Sequence, residues 1–134
     1  MNTSLPAEHR EFAFGTGRVV LLVEDDALVR SVTAEMVREF GYEVVEASSA
    51  EAAMTLLPTT PIHVLIADIG LPGMSGHLFA AQLRSIQPSL GIVFVSGAGR
   101  LPDGPRESTG PVLLRKPYGS LALAKALQEA TRRC

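Results

Sequence analysis

The sequence has almost no cysteine. Its single one, Cys134, is the last residue. No intrachain disulfide can form, which fits a reducing cytosol. Tryptophan is absent and aromatic residues make up 5%, so the core must be aliphatic. The only histidines, His9, His63 and His77, show no metal-ligand spacing. Positive charge is not gathered into blocks: net charge is −2, and the densest basic spot is Arg132-Arg133. Two arginines at a helix end read as dipole partners. Bulk electrostatics therefore gives no reason to expect direct DNA binding. No run approaches the ~18 apolar residues of a membrane span. The start, MNTSLPAEHREFAFGTG, carries internal charges and no apolar stretch of the signal-peptide kind. A soluble, cytoplasmic protein with no membrane contact is expected.

What is present fits one domain of 134 residues, with 46% apolar and 19% charged residues. Residues 1–17, with Pro6, Gly15 and Gly17, read as a loose arm that Phe12 and Phe14 could pin to the body. Residues 18–132 carry the regular pattern. RVVLLV (18–23) is a continuous apolar run, the mark of a strand buried on both faces. Asp26 can cap a helix over 27–40 that turns Val29, Val32, Met36, Val37 and Phe40 to one side and stops at Gly41. YEVVEA (42–47) is a strand. Ser48 and Glu51 match a capping box for a helix to about Leu57.

IHVLIA (62–67) is a second buried strand, with His63 expected to be hydrogen-bonded in or near the core. A turn-rich loop, DIGLPGMSG (68–76), leads into a helix over 77–87 that begins at His77. GIVFVS (91–96) and VLLRK (112–116) are strands, and Ser120 caps a last helix from 121 to about 132. Strands separated by helices cannot be hairpins. The sheet is therefore parallel, with right-handed crossovers and helices on both faces, a doubly wound five-stranded α/β domain.

One slot breaks the alternation. GAGRLPDGPRESTGP (97–111) holds four Gly and three Pro where a helix belongs. An interior Pro costs ~3 kcal/mol and a Gly ~1. At most one turn near Arg106 to Thr109 is expected, so this helix is missing or reduced to a loop.

Doubly wound sheets carry their sites at the carboxyl ends of the strands. Glu24, Asp25 and Asp26 follow the first strand, Asp68 the third, Ser96 the fourth and Lys116 the last. Asp26 has a sufficient role as a cap. Carboxylates brought together from neighbouring strands repel, and need a cation or raised pKa values. Mg²⁺ suits such hard oxygen ligands. A carboxylate beside Mg²⁺, an ammonium and a hydroxyl is the apparatus of phosphoryl transfer to a carboxylate. No Walker-type loop is present, no Ser-His-Asp arrangement stands at strand ends, and SGAGR lacks the helix a nucleotide loop requires.

In this order, VVLLVEDD, VLIADIGLPGMSG, VFVSG and LLRKPY resemble the CheY-like receiver domain of bacterial two-component response regulators. The spacing from Asp68 to Ser96 is 28 residues, and from Ser96 to Lys116 it is 20. The resemblance covers roughly residues 18–132 and implies strand order 2-1-3-4-5. It implies that Asp68 is the phosphoacceptor, supplied by a sensor histidine kinase or a histidine phosphotransfer protein. It implies that Mg²⁺ (or Mn²⁺) is held by Asp25, Asp68, the Gly70 backbone carbonyl and, through water, Glu24. Ser96 then matches the hydroxyl that turns toward the phosphoryl group, Gly97 the small residue that keeps access open, and Lys116 the family lysine, with a cis bond to Pro117.

By the same resemblance the protein is a phosphoacceptor and not an enzyme in the ordinary sense. Two departures stand out. Leu113 occupies a position that is often aromatic and coupled to Ser96, and 97–111 replaces the fourth helix. Output is then expected through partner contacts: an order change in 97–111, or a homodimer through the last strand and last helix. Alternatives are a receiver cut from a hybrid kinase or longer regulator and, in another class, a small Mg²⁺ phosphatase of the haloacid-dehalogenase kind. The latter wants an acid two residues after its nucleophile, where Gly70 stands.

Overall fold

A computed structural model describes residues 17–57, 61–97 and 110–132. In chain order these form β1 (Val19–Val23), α1 (Ala27–Glu39), β2 (Glu43–Ala47), α2 (Ala50–Met54), β3 (Val64–Asp68), α3 (Gly76–Ile86), β4 (Gly91–Ser96), β5 (Val112–Arg115) and α4 (Ser120–Arg132). The five strands make one sheet in the order β2-β1-β3-β4-β5, and every neighbouring pair is parallel. The doubly wound fold expected from the sequence is present.

The two faces of the sheet bury different residues, because side chains alternate along a strand. Val20, Leu22, Val64, Ile66, Val93 and Val95 pack with Ala34 and Val37 of α1 and Leu123, Leu127 and Ala130 of α4. Leu21, Val23, Leu65, Ala67, Ile92 and Phe94 pack with Ala50 and Ala53 of α2 and Phe79 and Leu83 of α3. The central strands β3 and β4 are apolar on both sides for this reason. Strand order reverses at β1, which makes the topological switch, the place where folds of this kind carry their sites at the carboxyl edge.

Local details refine the expected elements. Asp26 caps α1 as expected, its side chain accepting the Leu28 and Val29 N–H groups. The buried stripe of α1 is Thr33, Ala34 and Val37, while Val32 is exposed. The expected stripe holds at Met36, Val37 and Phe40, which pack on the core, while Val32 faces outward and Thr33 takes an inward place with Tyr118 as partner. The capping box is displaced by one residue. Ser49, not Ser48, caps α2 by accepting the Ala52 N–H. Glu51 therefore does not reach back to the cap; its carboxylate accepts the Met74 N–H. α2 ends at Met54, short of Leu57.

Ser75 caps α3, which starts at Gly76. Ser120 is already inside α4, and the Leu123 N–H bonds the Gly119 carbonyl, which makes Gly119 the capping position. His63 is hydrogen-bonded, as expected, but exposed: its Nδ1 accepts the Val19 N–H at the start of β1. The arm, with Phe12 and Phe14, and Cys134 lie outside the described residues. So does most of the replaced helix, residues 98–109.

Candidate functional site

Each expected site residue sits at the carboxyl end of a strand. β1 ends at Val23, and the chain turns at Glu24 and Asp25 before Asp26 caps α1. The Glu24 carboxylate accepts the Asp26 N–H at 3.0 Å, so it folds back over the sheet edge and is only 3% exposed. Arg30 braces the same turn from α1, donating to the Glu24 carbonyl at 2.7 Å. Asp25 is exposed to solvent. Asp68 is the last residue of β3, registered with Val95 of β4, and the Ile69 N–H continues the ladder to the Val95 carbonyl. Ser96 closes β4 and is buried, and the Lys116 N–H donates to the Ser96 carbonyl. The Lys116-Pro117 bond is cis, as expected.

The site is organised around one ammonium. Lys116 Nζ lies 2.7 Å from Asp68 Oδ2 and 2.8 Å from Glu24 Oε1. The carboxylates of Glu24, Asp25 and Asp68 each place an oxygen within 4.8 Å of the others. Burial pushes the Glu24 carboxyl above the ordinary range, although the Lys116 and Asp26 hydrogen bonds pull the other way. Burial would lower the Lys116 ammonium. The Asp68 and Glu24 hydrogen bonds outweigh it and hold the ammonium charged beyond the usual lysine range. One ammonium does not neutralise three carboxylates. The donor set, hard oxygens on neighbouring loops with one acid open to solvent, fits a Mg²⁺ ion that keeps several waters.

Two glycines border the Asp68 carboxylate and the Lys116 side chain. Gly70 donates its N–H to Asp68 Oδ1 at 2.8 Å, and a Cβ there would approach that oxygen to 3.6 Å. Gly97 lies against the Lys116 stem, where a Cβ would meet Cδ at 3.3 Å. Leu113 is partly buried against the α2–α3 side of the sheet.

Tyr118, which sequence reading did not single out, sits beside the site. Its hydroxyl lies 2.7 Å from Thr33 Oγ1, tying the segment after Lys116 to α1. Burial raises the Tyr118 pKa, and Glu24 and Asp68 add to the effect. A Thr in the middle of an otherwise apolar helix stripe was the available signal.

The sequence comparison decides the family. The response regulator receiver domain profile matches residues 20–109. The chain belongs to the response regulator receiver domain family. Among curated relatives, response regulator protein FleR of Pseudomonas aeruginosa is 33% identical over 107 residues, which are 78% of this chain and 22% of FleR. Nodulation protein W of Bradyrhizobium diazoefficiens is 31% identical over 120 residues, 88% of this chain and 53% of that protein. This receiver thus spans roughly a fifth to a half of the length of these two relatives.

Among solved structures, the receiver domain of the hybrid histidine kinase CckA superposes with a TM-score of 0.70 at 31% identity, covering 84% of this chain and 98% of that one. The chemotaxis response regulator CheY4 of Vibrio cholerae gives 0.74 at 27% identity, covering 86% and 99%. The receiver is a module of two-component signalling. No described helix is long and apolar enough to cross a membrane.

Proposed function

We propose that Asp68 accepts a phosphoryl group from a phosphohistidine on a sensor histidine kinase or histidine phosphotransfer protein. An Asp68 carboxylate oxygen attacks phosphorus, the N–P bond breaks, and the histidine imidazole leaves with its electron pair and takes up a proton. The observation that carries this reading is the bridging position of Lys116. Its ammonium already touches the Asp68 carboxylate at 2.7 Å, so it would stand next to the transferred oxygens and offset their charge. Ser96, between the β3 and β5 ends, would donate its hydroxyl to the same group. The residues suited to hold Mg²⁺ (or Mn²⁺) are Asp25, Asp68, the Gly70 carbonyl and, through water, Glu24. A bound divalent ion would add neutralising charge at the phosphoryl oxygens.

Gly70 supports this reading over a haloacid-type phosphatase. That chemistry needs an acid two residues after the nucleophile, and at that position Gly70 offers Asp68 a backbone N–H instead. The open Gly70 position leaves the acyl phosphate accessible to water. Signalling then goes through partner contacts. The last strand, β5, is a sheet edge, and Leu121 on α4 is 69% exposed, which suits a partner or homodimer contact there.

Acetyl phosphate or beryllofluoride with Mg²⁺ should modify the wild type and leave Asp68→Asn unmodified, as read by intact mass or by fluorine resonance. Equal modification of the variant would remove Asp68 from this role.

A further inference from the structure

We propose that Glu51 is a positioning residue for the phosphoacceptor loop, acting from a different helix and through backbone contacts alone. This inference rests on the receiver reading of Asp68 and extends it to a residue outside the acid cluster.

The loop runs from Asp68 to Gly76, and its two ends meet. A Cβ on Gly76 would stand 2.5 Å from the Asp68 carbonyl oxygen, so α3 can start there only with glycine. The near limb is fixed by the Gly70 N–H on Asp68 Oδ1 and by Leu71, which is buried with Ala50 and Ala53 of α2. The crown of the loop, Pro72 to Met74, is held by Glu51. Its Oε2 accepts the Met74 N–H at 3.1 Å across 23 residues of sequence. The contact shapes its neighbour as well. Gly73 adopts φ +75°, and a Cβ there would lie 2.9 Å from Glu51 Oε2.

The left-handed backbone is what requires glycine at Gly73, and the Glu51 carboxylate sits directly beside it. Glu51 is in the first turn of α2, where the helix dipole favours its charge. Because Gly70 and Asp68 lie on the same loop, fixing its crown restrains the carbonyl and the carboxylate that would receive the cation. Residues that orient metal ligands without touching the metal carry a measurable part of the affinity.

The contact is independent of Lys116, Glu24 and Asp25, so its loss should leave the ammonium–carboxylate pairs in place. Glu51 is exposed, and Ser49 caps α2 without it, so Glu51→Ala should fold. The informative pair is Glu51→Ala, which removes the acceptor, and Glu51→Gln, whose amide oxygen can still accept the Met74 N–H.

Amide exchange on the metal-free protein and Mg²⁺ titration by calorimetry test the idea. In Glu51→Ala, the Met74 amide should exchange about 10-fold faster and the Mg²⁺ Kd should rise about 3- to 10-fold. Glu51→Gln should recover most of both. Wild-type values of Met74 exchange and Kd in Glu51→Ala overturn the proposal. So does equal loss in both variants with a matching fall in Tm, which would mark general damage. A wild type that takes up no Mg²⁺ overturns the receiver reading as well, whereas a normal wild type with an indifferent Glu51→Ala overturns only the role of Glu51.

Discussion

The two edges of the sheet treat their polar side chains differently. At the amino edge, polar side chains bond to backbone. His63 Nδ1 accepts from the Val19 N–H, Gln87 Nε2 donates to the Ile62 carbonyl at 2.6 Å, and Arg84 Nε donates to the Leu90 carbonyl at 3.0 Å. Each contact satisfies a group where a strand begins. At the carboxyl edge, charged side chains bond to one another. Lys116 bridges Glu24 and Asp68, and Asp25 stands open beside them. Polar groups tied to backbone hold a fold together. Carboxylates gathered against one ammonium repel one another, and such clusters concentrate at functional sites.

Four substitutions would break or sharpen this contrast. The largest effect should come from Lys116→Met, which removes the ammonium that touches Asp68. Phosphorylation by acetyl phosphate should slow by about 100-fold or more, as expected for loss of a charge-stabilising donor. Mass spectrometry over a time course would show it, and a rate within about threefold of wild type would deny Lys116 a direct part.

Glu24→Gln should act on cation binding and on pH dependence together. The Mg²⁺ Kd should rise by about tenfold. Burial raises the folded pKa of Glu24. With that sign, the stabilising effect of protonation is fully present below the unfolded value of about 4.3 and is lost as pH rises through the folded value. Wild type should therefore gain Tm relative to Glu24→Gln as pH falls from 7 toward that window. A difference that stays constant with pH would show that burial does not govern this carboxyl.

Tyr118→Phe leaves the buried Thr33 hydroxyl without its partner. A stability loss of about 1 kcal/mol in urea unfolding is expected. A smaller fall in phosphorylation rate should accompany it, because the same contact anchors the segment after Lys116. Unchanged stability would mean that Thr33 is satisfied otherwise.

His63→Ala is the control from the opposite edge. It should cost about 0.5–1.5 kcal/mol, since the Val19 N–H can turn to water. Mg²⁺ affinity and modification of Asp68 should not change. A change in either would dissolve the distinction between a stitched edge and a charged one.

Much of the molecule was legible in one dimension. β3 and β4 announce themselves as continuous apolar runs because both faces of a central parallel strand are covered. Asp68, Ser96 and Lys116 could be picked out because each follows such a run directly, and a strand end has nowhere else to point. The errors were local. Two adjacent serines offer two registers for a capping box, and the spacing to Glu51 favours Ser48. Packing chose Ser49, which puts Ala50 and Ala53 inside. Val32 faces outward and Thr33 inward, a choice that a period of 3.6 cannot make because it does not tell a buried Thr with a partner from an exposed one.

Alternation of strand and helix, the run lengths and the chemistry of the strand-end residues were fixed by sequence alone, because they depend on local periodicity and on where each run stops. The tertiary structure decided which charges meet. Lys116 lies 48 residues from Asp68 and bridges it to Glu24 only once β5, β3 and β1 share a sheet. It also released Glu51 from its expected cap and set it on the loop that follows Asp68. Side-chain partners across 23 or more residues are chosen by the geometry of packed elements, and no spacing rule along the chain encodes that choice.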